Sequence, residues 1–266
     1  MFSGGMGSYA SAKWVKDNHG SDDLYLLFCD VKGEQDNPHI GEDEDTYRFI
    51  EAAAKFLGGH YIYLNVGKTI WDIFEEKRFL GNSRYAPCTR LLKQKPARDW
   101  IDQNCKPEET IIYVGIDWSE IHRLPKIVEN YKPWTVKAPL TEPPYSDKYQ
   151  WIAQAKADGL PIPRLYELGF AHNNCGGGCV KAGQAQFKKL YEIMPERFKV
   201  WEEREEQVRQ KLGKDVSILN SRIGGGKRKP LPLSVLRKQI EENSDQIDLF
   251  DEGGCGCFLD FETGEE

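Results

Sequence analysis

Short apolar runs alternate with helical patterns over the first half of the chain, and this alternation most limits what it can fold into. Four runs rich in aromatic or β-branched residues predict buried strands at 23–30, 60–65, 110–117 and 135–139. Helical patterns lie between them, at 9–16, 43–57, 69–79 and 89–103. The alternation predicts an α/β fold with a doubly wound, mostly parallel sheet, which binds ligands beyond the carboxyl ends of its strands.

The composition narrows the classes of partner. The chain has 266 residues and a formal net charge of −6, so bulk electrostatics do not draw it to nucleic acid or to anionic membranes. No apolar run approaches the roughly 20 residues of a membrane span, and no signal peptide pattern opens the sequence. We therefore expect a cytoplasmic protein without a membrane partner. The basic patch of Lys227, Arg228 and Lys229 is a candidate contact for nucleic acid phosphates, although solvated charge is the commoner role of such a patch.

The character of the sequence changes after residue 143. Helical patterns follow at 149–157, 184–211 and 233–243, and the stretch 221–233 is basic and rich in Gly and Pro, which predicts a loop. We predict two units, a nucleotide-binding α/β domain at 1–143 and a helical C-terminal region at 144–266. The second unit contains a cysteine loop and a Cys-rich tail, which we expect to pack on the first unit.

Two adjacent glycines open the first helical pattern, in the hexapeptide 3–8 (SGGMGS), which we call the glycine loop. Glycine permits positive φ and lets a ligand approach the backbone, while a helix N-terminus offers unpaired N–H groups. Together they favour an anion site, although an ordinary turn before a helix has a similar composition. Only Met1 and Phe2 precede the loop, so we expect the first strand to be a stub unless the chain start is truncated.

The glycine loop resembles the SGGxxS pyrophosphate loop of the PP-loop ATP pyrophosphatase superfamily. Downstream, 87–96 (PCTRLLKQKP) and 114–123 (VGIDWSEIHR) are similar to segments of its phosphoadenosine phosphosulfate (PAPS) reductase-like members. The resemblance implies an adenine nucleotide alpha hydrolase-like fold that binds ATP or PAPS, with Mg²⁺. Two positions depart from the pattern, since Gly7 stands where many members have Asp, and Asp117 stands where an arginine is usual.

The resemblance also implies which residues bind the nucleotide and which assist the reaction. The expected nucleotide contacts are Ser3, Gly4, Gly5, Met6, Gly7, Ser8, Asp30, Gly115, Asp117 and Arg123. Asp30 ends a predicted strand, where it is a candidate to accept from a ribose hydroxyl or to bind Mg²⁺, with a turn or helix cap as its ordinary role. Arg90 and Lys93 follow Cys88 on a predicted helix and are candidates to hold a sulfur- or phosphate-bearing group during catalysis.

Seven cysteines, an odd number, favour metal or redox chemistry over a disulfide framework. Our preferred interpretation is a 4Fe–4S cluster bound by Cys88, Cys175, Cys179 and Cys255, since Cys88 belongs to a motif that binds such clusters in several relatives. Zinc would use four thiolates equally well, and Cys175 and Cys179 would also suit a redox disulfide. In a further alternative the tail resembles the mobile C-terminal segment of PAPS reductases, and Cys255 or Cys257 acts as the nucleophile.

These features predict a PAPS-reductase-like PP-loop enzyme that adenylates a substrate with ATP for sulfur transfer, assisted by the cluster. Asp117 and the cysteine set favour this function over thiol-dependent reduction of PAPS or of adenosine phosphosulfate (APS). A third function stays open, a non-catalytic nucleotide- or nucleic-acid-binding module with a structural zinc. The expected partners are an adenine nucleotide and a sulfur donor or reductant, and a homo-oligomer is compatible with the sequence.

Overall fold

The strands of the N-terminal half pair in parallel in the computed structural model, which describes residues 1–82, 85–223, 227–242 and 251. Strand β1 (Tyr25–Asp30) pairs with β2 (His60–Asn65), and β3 (Ile111–Tyr113) pairs with β4 (Thr135–Lys137). The predicted α/β class with parallel pairing is therefore confirmed. The complete doubly wound strand order stays a prediction.

The start of the chain lies between the two strand pairs. The backbone N–H of Phe2 donates to the carbonyl of Leu27 on β1 at 2.8 Å. The amino group of Met1 donates to the carbonyl of Tyr113 on β3 at 3.3 Å. These hydrogen bonds place the two residues before the glycine loop among the parallel strands, where the sequence predicted a stub.

Helices cover this framework. In the N-terminal half the α-helices are α1 (Met6–His19), α2 (Glu44–Leu57), α3 (Ile70–Glu76), α4 (Lys95–Asn104) and α5 (Leu124–Asn130). A π-helical segment leads into α4, and a 3₁₀ helix leads into α5: Thr89–Gln94 and Trp118–Arg123. In the C-terminal half the α-helices are α6 (Lys148–Ala157), α7 (Arg164–Glu167), α8 (Gln184–Ile193), α9 (Pro195–Leu212) and α10 (Leu233–Glu241). Short 3₁₀ turns lie at Pro139–Thr141 and Asn174–Gly177. Over the described ranges, none of the helices is both long and apolar enough to cross a membrane.

Both faces of β1 are covered by apolar side chains, because successive side chains of a strand point to opposite faces. Leu26 and Phe28 belong to the core that α1 and α2 cover. Leu27 and Cys29 belong to the core that α3 and α4 cover. Cys29 is therefore a buried packing residue, as its apolar strand predicts.

The C-terminal half packs on the same core as the N-terminal half. The ring centroids of Trp71 on α3 and Trp201 on α9 lie 5.0 Å apart in an edge-on contact. Phe187 on α8 also contacts Trp201, with ring centroids 5.7 Å apart. One core thus receives side chains from both predicted units, and the boundary at residue 143 stays a prediction.

The single helix predicted at 184–211 is wrong, since the structure breaks it at Met194, where α8 ends and α9 begins. Pro195 explains the break. A proline disfavours the helical conformation in the residue before it, and it has no N–H with which to continue the ladder of the preceding helix. Met194 has φ of −131° and ψ of 61°, outside the helical region.

The loop predicted at 221–233 is also wrong, because most of this stretch forms an antiparallel hairpin. Strand β5 (Leu219–Ile223) pairs with β6 (Lys227–Leu231). Leu219 lies opposite Leu231, and both side chains are buried in the core. Burial of this leucine pair ties the base of the hairpin to the core, although the sequence between them is basic and rich in glycine.

Candidate nucleotide site and thiol cavity

The glycine loop forms a closed turn at the N-terminus of α1. Ser8 Oγ donates to the carbonyl of Gly5 at 2.8 Å and accepts the backbone N–H of Ser3 at 3.2 Å. Gly4 has φ of +78°, and a Cβ there would lie 2.8 Å from the side chain of Ile50 on α2, so only glycine fits. The turn therefore adjoins the N-terminus of a helix of 14 residues, an arrangement that favours anions.

A pair of glycines packs the loop against the segment that follows β3. A Cβ at Gly115 would lie 2.6 Å from the carbonyl carbon and oxygen of Gly7, and a Cβ at Gly7 would collide with the carbonyl oxygen of Gly115. Neither position has room for a side chain. This contact accounts for glycine at position 7, where many proteins with a similar loop carry Asp.

A pocket of about 250 Å³, which we call the phosphate pocket, opens between the glycine loop, residues 114–117 and residues 171–174. Of the residues predicted to bind a nucleotide, it is lined by Ser3, Gly5, Met6, Gly7, Ser8, Gly115 and Asp117. Lys148 on α6 also lines it and supplies a cationic side chain that the sequence did not single out. Hydroxyl groups, an ammonium group and a helix N-terminus together suit a phosphate-bearing ligand.

Asp30 ends β1 as predicted, but its carboxylate is buried and bonded within the protein. It accepts the hydroxyl of Tyr47 at 2.7 Å, the hydroxyl of Tyr63 at 2.8 Å and the backbone N–H of Lys32 at 3.1 Å. Burial, together with this carboxylate, raises the pKa of Tyr47 well above its usual range. In the described structure Asp30 does not line the phosphate pocket, and its role toward a ribose or Mg²⁺ stays a prediction.

Two other predicted contacts, Gly4 and Arg123, also lie outside the described lining of the phosphate pocket. Arg123 forms an ion pair with Glu120 on its own 3₁₀ helix. Asp117 is the N-cap of that helix, and its carboxylate accepts the backbone N–H of Ser119 at 2.8 Å. Asp117 therefore combines a local capping role with a place in the pocket, while the role of Arg123 toward a nucleotide stays a prediction.

Asn173 joins the glycine loop to the cysteine loop, residues 175–179 (CGGGC). Its side-chain amide donates to the carbonyl of Gly4 at 3.0 Å and to Oγ1 of Thr46 at 3.3 Å. Its Oδ1 accepts the hydroxyl of Tyr166 at 3.3 Å, and that hydroxyl oxygen accepts the N–H of Met6 at 3.2 Å. The sequence marked Asn173 only as turn-forming, and its place directly ahead of the cysteine loop was the available signal.

Three of the four predicted metal ligands, Cys88, Cys175 and Cys179, lie around one small cavity, which we call the thiol cavity. Lys93 lines it as well, with Val31, Ile70, Thr89 and Val180. All three cysteines are buried. The cavity has a volume of about 10 Å³, room for roughly one water molecule. Cysteines from two distant parts of the sequence therefore meet.

The cysteine loop reaches this cavity through three residues in the left-handed region. Cys175, Gly176 and Gly177 have φ of +50°, +59° and +91°. A residue other than glycine is uncommon there, so the surrounding structure must hold Cys175 in place. Arg197, a buried residue of α9, lies against Gly176. Nothing in the sequence marks the role of Arg197, because this residue stands among the many charges of an amphipathic helix.

Of the two predicted catalytic residues on the π-helical segment, Lys93 is the one beside the thiols. Lys93 is buried and pairs with Glu42, which is also buried, at an N–O distance of 3.4 Å. Arg90 is exposed and lies outside the described lining of the thiol cavity. π-Helical turns are frequent at functional sites, which agrees with the position of Lys93, and the catalytic roles of both residues stay predictions.

The described residues do not make a complete metal centre. Among them, no three Cys, His, Asp or Glu side chains are arranged to hold a metal ion. Cys255 and Cys257, the predicted fourth ligand and the predicted nucleophile, lie outside the described residues. The three thiols match the donor chemistry of an iron–sulfur cluster or zinc, but the space between them holds about one water molecule. Their present spacing therefore does not fit a cluster.

The predicted basic patch lies on the hairpin. Strand β6 begins at Lys227, and Arg228 and Lys229 are exposed on it. Lys229 lies opposite Ser221 of β5. Contact of this patch with nucleic acid stays a prediction.

Comparison with known proteins gives a structural likeness. No family model and no curated protein matches this sequence. The structure is similar to the crystal structure of phosphoadenylyl-sulfate (PAPS) reductase from Candida auris in complex with phosphate. The TM-score is 0.41 and the sequence identity is 16%, over 62% of this chain and 74% of that chain. PAPS reductases are the proteins that the sequence motifs resemble.

Proposed function

We propose that this chain is a PAPS-reductase-like PP-loop enzyme that binds an adenine nucleotide and adenylates a substrate for sulfur transfer. The observation that supports this most directly is that one stretch of chain serves two sites. Residues 171–174 line the phosphate pocket, and Cys175 and Cys179 line the thiol cavity. A nucleotide in the phosphate pocket would therefore lie next to the segment that carries the thiols.

In the proposed reaction the glycine loop and Lys148 hold the β- and γ-phosphates of ATP. An oxygen atom of the substrate attacks the α-phosphorus, the bond to the bridging oxygen breaks, and pyrophosphate leaves. A sulfur nucleophile then displaces AMP from the adenylated substrate. The protein contributes mainly positioning and stabilisation of negative charge, for which the helix N-terminus and the ammonium group of Lys148 are suited.

Two cofactors belong to the proposal. Mg²⁺ would neutralise phosphate oxygens, and Asp117 and Glu120 are the carboxylates that line the phosphate pocket. Cys88, Cys175 and Cys179, with Cys255 as the fourth ligand, would hold a 4Fe–4S cluster or zinc in its place, and the cluster would need more room than the thiol cavity has. We assign no catalytic step to that group.

Titration calorimetry with ATP tests the nucleotide site. Lys148→Met removes the ammonium group and is expected to weaken ATP binding roughly tenfold or more, as loss of a charge-assisted hydrogen bond does. Lys156→Met is the matched control, because Lys156 lies on the same helix and pairs with Glu167 at the surface. If the wild-type chain binds neither ATP nor PAPS, the proposal is refuted.

Pyrophosphate release from ATP, measured with candidate sulfur acceptors, tests the reaction itself.

Iron, sulfide and zinc analysis after anaerobic purification tests whether the cysteines bind a cluster or zinc. Iron and sulfide in equal amounts, lost in Cys88→Ser, would support the cluster. Stoichiometric zinc without iron would exclude the cluster and leave the nucleotide chemistry untouched.

Thiol-dependent reduction of PAPS is the second candidate, because Cys175 and Cys179 line the same cavity. One thiolate would attack the sulfate sulfur, release adenosine 3′,5′-bisphosphate and keep the sulfonate as a thiosulfonate. The other thiolate would then form the disulfide and release sulfite. Sulfite formation from PAPS, without pyrophosphate release from ATP, would favour this function over adenylation.

A further inference from the structure

Two aromatic side chains are exposed together beside the phosphate pocket. The exposed fraction is 49% for Trp118 and 58% for Tyr145. Their ring centroids lie 6.0 Å apart, and the ring planes meet at 53°. Tryptophan is usually well buried, so an exposed ring pair of this kind offers a surface to another planar group.

The ring pair is continuous with the pocket. Trp118 begins a 3₁₀ helix, and Asp117 and Glu120, on either side of it in sequence, line the phosphate pocket. Tyr145 precedes α6, whose Lys148 lines the same pocket. Neither ring is itself in the described lining, but each stands on a segment that contributes residues to this edge of the pocket.

The glycine loop is in direct contact with this edge. Gly7 and Gly115 pack backbone to backbone, and the three residue steps from Gly115 to Trp118 span at most about 11 Å. That distance is within the length of an extended nucleoside triphosphate. At the end of β1, in contrast, the carboxylate of Asp30 is bonded to two tyrosine hydroxyls, and no residue of β1 is in the described pocket lining.

We propose that Trp118 and Tyr145 form the base-stacking subsite for the nucleotide whose phosphates bind at the glycine loop. The subsite rests on the proposed nucleotide-binding function. A purine has an apolar π-face, and stacking on an aromatic side chain strengthens binding roughly tenfold or more. Trp and Tyr supply this area with few rotatable bonds, so little entropy is lost when the base binds.

Calorimetry with two ligands, ATP and pyrophosphate, separates the base from the phosphates. Trp118→Ala and Tyr145→Ala are expected to weaken ATP binding roughly tenfold and to leave pyrophosphate binding unchanged. Trp118→Phe keeps a ring and is expected to retain most of the affinity for ATP. Tyr25→Ala is the control, because Tyr25 is 46% exposed and stands at the start of β1, a strand that contributes no residue to the described pocket lining.

The outcomes distinguish a failure of the base-stacking subsite from a failure of the proposed nucleotide-binding function. Unchanged ATP binding in Trp118→Ala and Tyr145→Ala overturns the subsite and leaves the proposed function intact. An equal loss of ATP and pyrophosphate affinity also overturns the subsite, because the effect then lies in the phosphate pocket. If the wild-type chain binds neither ligand, the proposed function fails and the subsite with it. Trp118→Leu, apolar but without a ring, gives the same comparison if the alanine variant does not fold.

Discussion

The guanidinium group of Arg197 lies directly against Gly176, so closely that a Cβ at position 176 would overlap it. Arg197 is 2% exposed and donates to the carbonyls of Pro38 at 2.6 Å and Gly41 at 3.3 Å. The buried carboxylate of Asp43 lies 3.8 Å from the same group. One buried charge therefore fixes the cysteine loop against the loop ahead of α2.

Replacing Arg197 by methionine removes this charge and keeps much of the apolar stem. We expect the free energy of unfolding to fall by about 3 kcal/mol, because the buried partners lose a charged donor. We also expect a thiol reagent to label Cys175 and Cys179 faster, since their loop loses its support. Urea unfolding and labelling rates measure the two effects. Arg204→Met, on the same helix, is the control, and identical labelling rates in both variants would contradict the role of Arg197.

Asn173→Ala should affect both sites at once. It removes the donor to the carbonyl of Gly4, so we expect weaker ATP binding, and it frees the segment before Cys175, so we expect faster labelling of that thiol. Calorimetry and labelling of the same preparation measure the pair. Asn104→Ala is the control, because Asn104 is exposed and donates to the carbonyl of Trp100 on its own helix. A change at one site without the other would show that Asn173 does not join them.

Gly115→Ala should force the glycine loop away from the segment after β3. The added methyl overlaps the backbone of Gly7, and we expect a loss of roughly 1–3 kcal/mol in the free energy of unfolding, as for overpacked sites. Thermal unfolding measures the loss. Gly5→Ala is the control, because its Cβ would meet no atom closer than 3.5 Å. Equal melting temperatures for the two variants would contradict this expectation, because they would show that the glycine loop accommodates the methyl group at position 115 without loss of stability.

Glu205 makes stability depend on pH. Its carboxylate, buried on α9, accepts the backbone N–H groups of Ile218 at 2.8 Å and Leu233 at 2.6 Å. Burial raises its pKa from 4.5 to about 7, so the folded state binds a proton that the unfolded chain releases. The free energy of unfolding should therefore fall by roughly 3 kcal/mol as the pH rises from about 4.5 to above 7.

Urea unfolding of the wild type and of Glu205→Gln, at about pH 5 and about pH 8, tests this dependence. The glutamine variant has no proton to release at this position. Its stability should change less between the two pH values than that of the wild type. Equal pH dependence in the two proteins would assign the effect to other groups.

The strands were predictable because runs of apolar, aromatic and β-branched residues mark them in the sequence. Their predicted burial was wrong in part, since β1 is buried apart from Tyr25, whereas every residue of β2 is partly or fully exposed. The apolar run at 60–65 coincides with β2, and the run at 23–30 contains β1. The run at 110–117 was too long, since β3 ends at Tyr113 and the chain then turns to meet the glycine loop at Gly115. That turn depends on a contact with a distant segment, which no local pattern records.

The hairpin was not predicted because the contacts that stabilise it are made with the core, outside its own stretch of sequence. The sequence from 219 to 231 contains basic residues and glycines, which locally favour a loop, and the pairing is fixed where Leu219 and Leu231 enter the core. The break at Met194 was predictable, because Pro195 is visible in the sequence. It was missed because the amphipathic periodicity continues through this position.

The candidate site was partly predictable for a similar reason. Cysteines are few and chemically distinct, so Cys88, Cys175 and Cys179 could be grouped from composition and motif alone. Lys148 and Arg197 could not, because the chain has 36 lysines and arginines, and only tertiary packing distinguishes these two. The bonds of Asp30 to two tyrosine hydroxyls were hidden in the same way.

The strip of chain from residue 171 to 179 borders both the phosphate pocket and the thiol cavity. Thermodynamic linkage makes any coupling through it reciprocal. The factor by which a bound nucleotide shifts the oxidation equilibrium of the thiols must equal the factor by which their oxidation shifts nucleotide affinity. Measuring either quantity therefore determines the other, and the redox poise of the surroundings becomes an input to nucleotide occupancy.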